Sequence, residues 1–66
     1  MTLARIVQTG TYRDLRLSVQ HFTLRLRWSG RCWVLRGTLG YIISKHDSRE
    51  HAIVKARKIL RGMQQP

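Results

Sequence analysis

A chain of 66 residues has room for one small domain and no more. Thirteen Lys and Arg against three Asp and Glu give a net charge of +10, with 42% hydrophobic residues and a single cysteine. This balance excludes an intramolecular disulfide framework, a transmembrane span and a disordered basic tail.

Arginine supplies ten of the thirteen cations. Guanidinium groups suit bidentate hydrogen bonding and stacking better than diffuse attraction. The charge implies a polyanionic partner: nucleic acid first, an acidic protein surface second, anionic lipid third. Residues 1–8 carry no apolar run of secretory length, and the expected setting is soluble and cytoplasmic.

In chain order, Leu3 to Gln8 is a short β-prone run closed by a turn signal at Thr9-Gly10. From Tyr12 to Gln20 the chain alternates, with Leu15, Leu17 and Val19 on one face and Arg16, Ser18 and Gln20 on the other. Gln20-His21 has neither Gly nor Pro, so residues 15–28 read equally as two strands or one bent strand.

The organising stretch runs from Phe22 to Ser44. Phe22, Leu24, Leu26 and Trp28 alternate with Thr23, Arg25 and Arg27, the period of a strand with one dry and one wet face. With Ser29-Gly30 as a two-residue hairpin turn, Trp28 pairs with Arg31, Leu26 with Trp33, Leu24 with Leu35 and Thr23 with Arg36. Partners share a face. The dry face is then Phe22, Leu24, Leu26, Trp33 and Leu35; the wet face holds Thr23, Arg25, Arg27, Cys32, Val34 and Arg36. A second turn, Gly37 to Gly40, leads into Tyr41-Ile42-Ile43-Ser44. It places Tyr41 opposite Arg36 on the wet face and Ile42 in the core.

From Arg49 the period becomes helical. Ala52, Ile53, Ala56, Ile59, Leu60 and Met63 fall on one arc of roughly 120°. Asp47 or Ser48 serves as N-cap, with Glu50 completing a capping box after Asp47. Lys55, Arg57, Lys58 and Arg61 crowd the later turns, where the macrodipole favours cations. Gly62 stops the helix or frays it, and residues 63–66 are a tail.

The expected fold is α+β: a single domain over 1–66, with an antiparallel β-meander of three to five strands within about 3–44 and one C-terminal helix over about 48–62. The helix covers Leu24, Leu26, Trp33, Leu35 and Ile42. The opposite face stays open and carries the arginines. The first strand is an unpaired edge that invites a homodimer.

The chain reads as non-enzymatic. Its acids sit beside a turn (Asp14) or at the helix start (Asp47, Glu50), and His21, His46 and His51 are scattered. No cofactor or metal is expected, since the histidines and Cys32 have no zinc-ligand spacing. The residues expected to contact nucleic acid or an acidic partner are Arg25, Arg27, Arg31, Arg36, Tyr41, Arg57, Lys58 and Arg61. Two or three strands fit the major groove of B-DNA.

The outline from Thr23 to Leu60 resembles the small N-terminal arm-binding domains of phage tyrosine integrases and the AP2-like three-strand DNA binders. Its parts are Thr23-Leu-Arg-Leu-Arg-Trp-Ser-Gly30, Cys32-Trp-Val-Leu-Arg36, Gly40-Tyr-Ile-Ile, and a helix opening from Ser48 through Ala52 to Ala56-Arg57. The resemblance covers about half the chain and lacks both a counterpart to the N-terminal strands and a catalytic domain. It implies a sheet laid in the major groove with Arg25, Arg27 and Arg36 facing DNA. A different class of function is a small phage-type inhibitor of an anti-defence kind. It would cover an acidic or nucleic-acid-binding surface of a host complex.

Overall fold

The computed structural model describes residues 4–64. Five strands follow one another: β1 (Val7–Gly10), β2 (Asp14–Val19), β3 (Phe22–Trp28), β4 (Trp33–Arg36) and β5 (Ile42–His46); helix α1 (Arg49–Gln64) follows them. The strands form one antiparallel sheet in chain order, each paired to the next by a hairpin. The fold is thus an α+β meander with the helix packed on one face. The expected strand start at Leu3 and the last two tail positions lie outside the described residues.

Alternation in β2 and β3 produces the core. Leu15 pairs with Leu26 and Leu17 with Leu24, and all four are buried. Leu35 lies opposite Leu26, and Trp33 completes the row of buried side chains on β4. Ala52, Ala56 and Leu60 close over them from α1 with no exposed surface. Full burial of a leucine is worth about 1.5–3 kcal/mol, and two alanines on the contact stripe let the helix axis come close to the sheet. Ser48 starts that helix. Its carbonyl accepts the Ala52 amide at 3.2 Å and its hydroxyl accepts the His51 amide at 3.4 Å, so Ser48 rather than Asp47 is the N-cap.

Two turns differ from expectation, and the open choice at Gln20-His21 resolves as a turn between two strands. Thr9 and Gly10 belong to β1, and the reversal is Thr11 to Arg13, closed by the Thr11 amide donating to the Asp14 carbonyl at 2.9 Å. Gly10 enters it at φ 97, and any Cβ there would collide with that same carbonyl. Gln20 and His21 make a two-residue turn, with Gln20 at φ 52. The third hairpin uses four residues, not two. The Ser29 amide donates to the Cys32 carbonyl at 2.9 Å, and the Ser29 hydroxyl accepts the Cys32 amide at 3.2 Å.

That longer turn moves β4 by two residues. Trp28 pairs with Trp33, Arg27 with Val34, Leu26 with Leu35 and Arg25 with Arg36. An even slip keeps every side chain on its face, so the division into dry and wet faces survives. Arg31 and Cys32 leave their expected strand positions and join the turn, the Cys32 sulfur 3.7 Å from the Ser29 hydroxyl.

Three apolar assignments fail at the margins, and so does the strand placement of Tyr41. Phe22 (41% exposed) stands at the end of the sheet beside its turn, and Met63 (45%) lies past the edge that α1 covers. Ile42 (49%) is opposite Arg36 because β5 is bulged there, and Tyr41 precedes the strand. Gly62 does not stop α1, which continues to Gln64.

Candidate functional site

The face of the sheet away from α1 is built from Asp14, Arg16 and Ser18 of β2 and Thr23, Arg25 and Arg27 of β3. One row across the strands reads Thr9, Arg16, Arg25, Arg36. The next reads Asp14, Arg27, Val34, Lys45, and a third reads Val7, Ser18, Thr23. Arg16, Arg25, Arg27, Arg36 and Lys45 therefore share this face with one carboxylate, Asp14. Direct cross-strand neighbours of like charge oppose folding by a few tenths of a kcal/mol to about 1 kcal/mol each.

Asp14 offsets part of that repulsion. Arg25 donates from Nε to Oδ1 at 2.9 Å and from Nη2 to Oδ2 at 2.8 Å, a bidentate fork. It is the one ion pair among the described residues. The hydrogen bonds to Arg25 come first in holding the Asp14 carboxyl below the usual carboxylate range. The charges of Arg25, Arg27 and Arg16 act the same way, against a partial desolvation. Arg36 turns to its own hairpin, where Nη1 donates to the Gly40 carbonyl at 2.9 Å.

The β4–β5 turn shapes the end of the face. Thr38 folds back onto β3: its hydroxyl accepts the Thr23 amide at 3.3 Å and donates to the Thr23 carbonyl at 3.0 Å. A side chain thus takes the place of the next ladder residue on β4. Between this turn and Arg16, Arg25 and Arg36 lies a shallow depression of about 300 Å³. A second, of about 320 Å³, lies between Arg27, Arg36, Trp28 and Val34. Val34 sits on this face yet is buried, with Arg27 and Lys45 beside it in the row.

No aromatic residue stands in these rows. Trp33 is buried and Trp28 packs on it with ring centroids 5.3 Å apart. Tyr12 meets Trp33 edge to face at 5.9 Å, and the Arg49 guanidinium lies 4.2 Å from the Tyr12 ring centre. That chain of rings ties the start of α1 to the β1–β2 turn and belongs to the fold. Tyr41 is 74% exposed in the turn before β5.

The eight residues singled out from the sequence thus occupy different places. Arg25, Arg27 and Arg36 share the open face. Arg31 is exposed in the β3–β4 turn and Tyr41 in the β4–β5 turn. Arg57, Lys58 and Arg61 lie on α1, where they line a groove with Val54, and Arg57 also donates to the Gln8 side chain at 3.4 Å. Sequence reasoning left out Arg16 and Lys45. The signal for Arg16 was its place between Leu15 and Leu17, but joining it to Arg25 needed the pairing of β2 with β3.

Other polar groups sit apart. His46 shares a 2.8 Å hydrogen bond with Ser44, His21 is in a turn and His51 is on α1. Among the described residues no three His, Cys, Asp or Glu side chains gather as a metal site would need. No helix there is long and apolar enough to cross a membrane. No family model, curated protein or solved structure matches this chain.

Proposed function

We propose that the protein is a non-enzymatic nucleic-acid-binding module whose open sheet face docks on duplex DNA. The observation that carries this reading is the cross-strand row Arg16, Arg25, Arg36, with Arg27 and Lys45 in the adjoining row. Side-by-side cations weaken the isolated fold, and a polyanion turns the same arrangement into binding energy.

The dimensions favour DNA over RNA. Strands β2, β3 and β4 span about 10 Å between their outer axes at the usual strand spacing. The major groove of B-DNA is about 12 Å wide, whereas that of A-form RNA is too narrow and deep for side chains to read. With no aromatic in the rows, base stacking is not the mode. Arg16, Arg27, Arg36 and Lys45 contact phosphates and base edges, while Arg25 is held in place by Asp14.

Titration of a short duplex by fluorescence anisotropy across a salt series tests this. Four phosphate contacts give a slope of log K against log salt of about −3.6, and Arg16→Ala or Arg27→Ala flattens it by about 1. Binding weaker than about micromolar at low salt, or indifferent to salt, overturns the reading.

A further inference from the structure

The cations of α1 pose a separate question from those of the sheet. Ala52, Ala56 and Leu60 face the core, so residues at the opposite helical phase point away from the sheet. Val54, Lys58 and Arg61 are exposed there, with Arg57 and Lys55 on either flank. The chain has three acids, and none is available to this stripe. Asp14 is taken by Arg25, and Asp47 and Glu50 stand at the N-terminal end of α1. The macrodipole accounts for a cation in the last turn but not for four in succession, since like charges one turn apart repel. From Val54 to Arg61 the stripe runs about 10 Å along the helix. It thus spans about three phosphates of one DNA strand.

This stripe and the open sheet face look in opposite directions, with the core and the helix between them. The molecule measures 40 by 21 by 19 Å. A duplex with a persistence length of about 150 bp does not fold around a body of that thickness to reach both faces.

We propose that the outer stripe of α1 is a second duplex-DNA surface, contacting phosphates through Arg57, Lys58 and Arg61, and that one molecule bridges two duplexes. The proposal rests on the sheet face binding DNA as argued above. Charge complementarity favours DNA as the occupant of both faces, because neither face offers a second copy of this chain the acids it would need. At modest protein the two faces hold two duplexes together; at excess protein each duplex is coated singly and the bridge is lost.

The experiment uses one short duplex fixed to beads and a second, fluorescent duplex in solution, with protein added across a wide range. Capture of the fluorescent duplex is expected to rise and then fall with protein. Lys58→Glu with Arg61→Glu is expected to cut capture by about tenfold or more while single-duplex affinity changes by no more than about threefold. Lys58→Ala with Arg61→Ala, which keeps good helix formers in place, gives a smaller loss in the same direction. Circular dichroism establishes that both variants keep the helix. Single-duplex binding without capture overturns the bridge and leaves the sheet-face reading standing. Capture that survives in the helix variants also overturns it, since bridging then comes from self-association. Failure of the wild type to bind one duplex removes both.

Discussion

Asp14 commits both carboxylate oxygens to Arg25, and this pair sets the behaviour of the open face in acid. Its carboxyl is held below the ordinary range chiefly by the Arg25 hydrogen bonds. A depressed folded-state pKa means that the pair's stabilisation is present above the unfolded value, about 3.9, and is lost as pH falls through the folded value. Asp14→Asn is therefore expected to lower the denaturation midpoint at pH 7, with the difference from wild type shrinking below about pH 4. A gap that stays constant into acid would assign the effect to something other than this pair. Glu50 is lowered as well, by its own backbone amide first and then by the Ser48 hydroxyl, so some acid sensitivity remains in the variant. Releasing Arg25 also frees a guanidinium, and the same substitution is expected to tighten duplex binding.

The helix and the hairpins show where a linear pattern carries structural information and where it does not. Ser48→Ala removes the acceptor of the His51 amide and is expected to cost about 1 kcal/mol, read as a lower urea midpoint with an unchanged slope. The cap was legible because Ser48 stands immediately before the helical period begins. The face of Arg25, Arg27 and Arg36 was legible because period two fixes which side chains share a side, and a two-residue slip leaves that untouched. What did not show in the sequence was length and pairing. Ser29-Gly30 looks like a complete turn, yet the Ser29 hydroxyl bonds draw in Arg31 and Cys32. Gln20-His21 turns without glycine. Arg16 reaches the cationic row only through the β2–β3 register, a contact between strands that no single strand encodes. Periodicity also cannot say where a neighbouring element ends, which is why Phe22, Ile42 and Met63 are half exposed.

At the scale of the whole molecule, a charge of +10 on 66 residues makes the folded state repel itself. Salt screens that repulsion over a Debye length of about 10 Å at 0.1 M, comparable to the distance across two strand spacings. The melting temperature is therefore expected to rise by about 4 °C or more between about 10 and 300 mM sodium chloride, since 1 kcal/mol is worth about 4–8 °C in a domain this small. A flat or falling trend would mean that the cations are already neutralised within the fold. The rise should be smaller in Arg16→Ala, which thins the central row.

The order of the elements along the chain has a consequence for how the protein folds. All five strands precede α1, and each hairpin joins immediate neighbours. Single hairpins close in about 1–10 μs, but the core on the sheet is covered only when Ala52, Ala56 and Leu60 dock on it. A chain cut before Leu60 would display a bare plate of leucines, with nothing left to roof it.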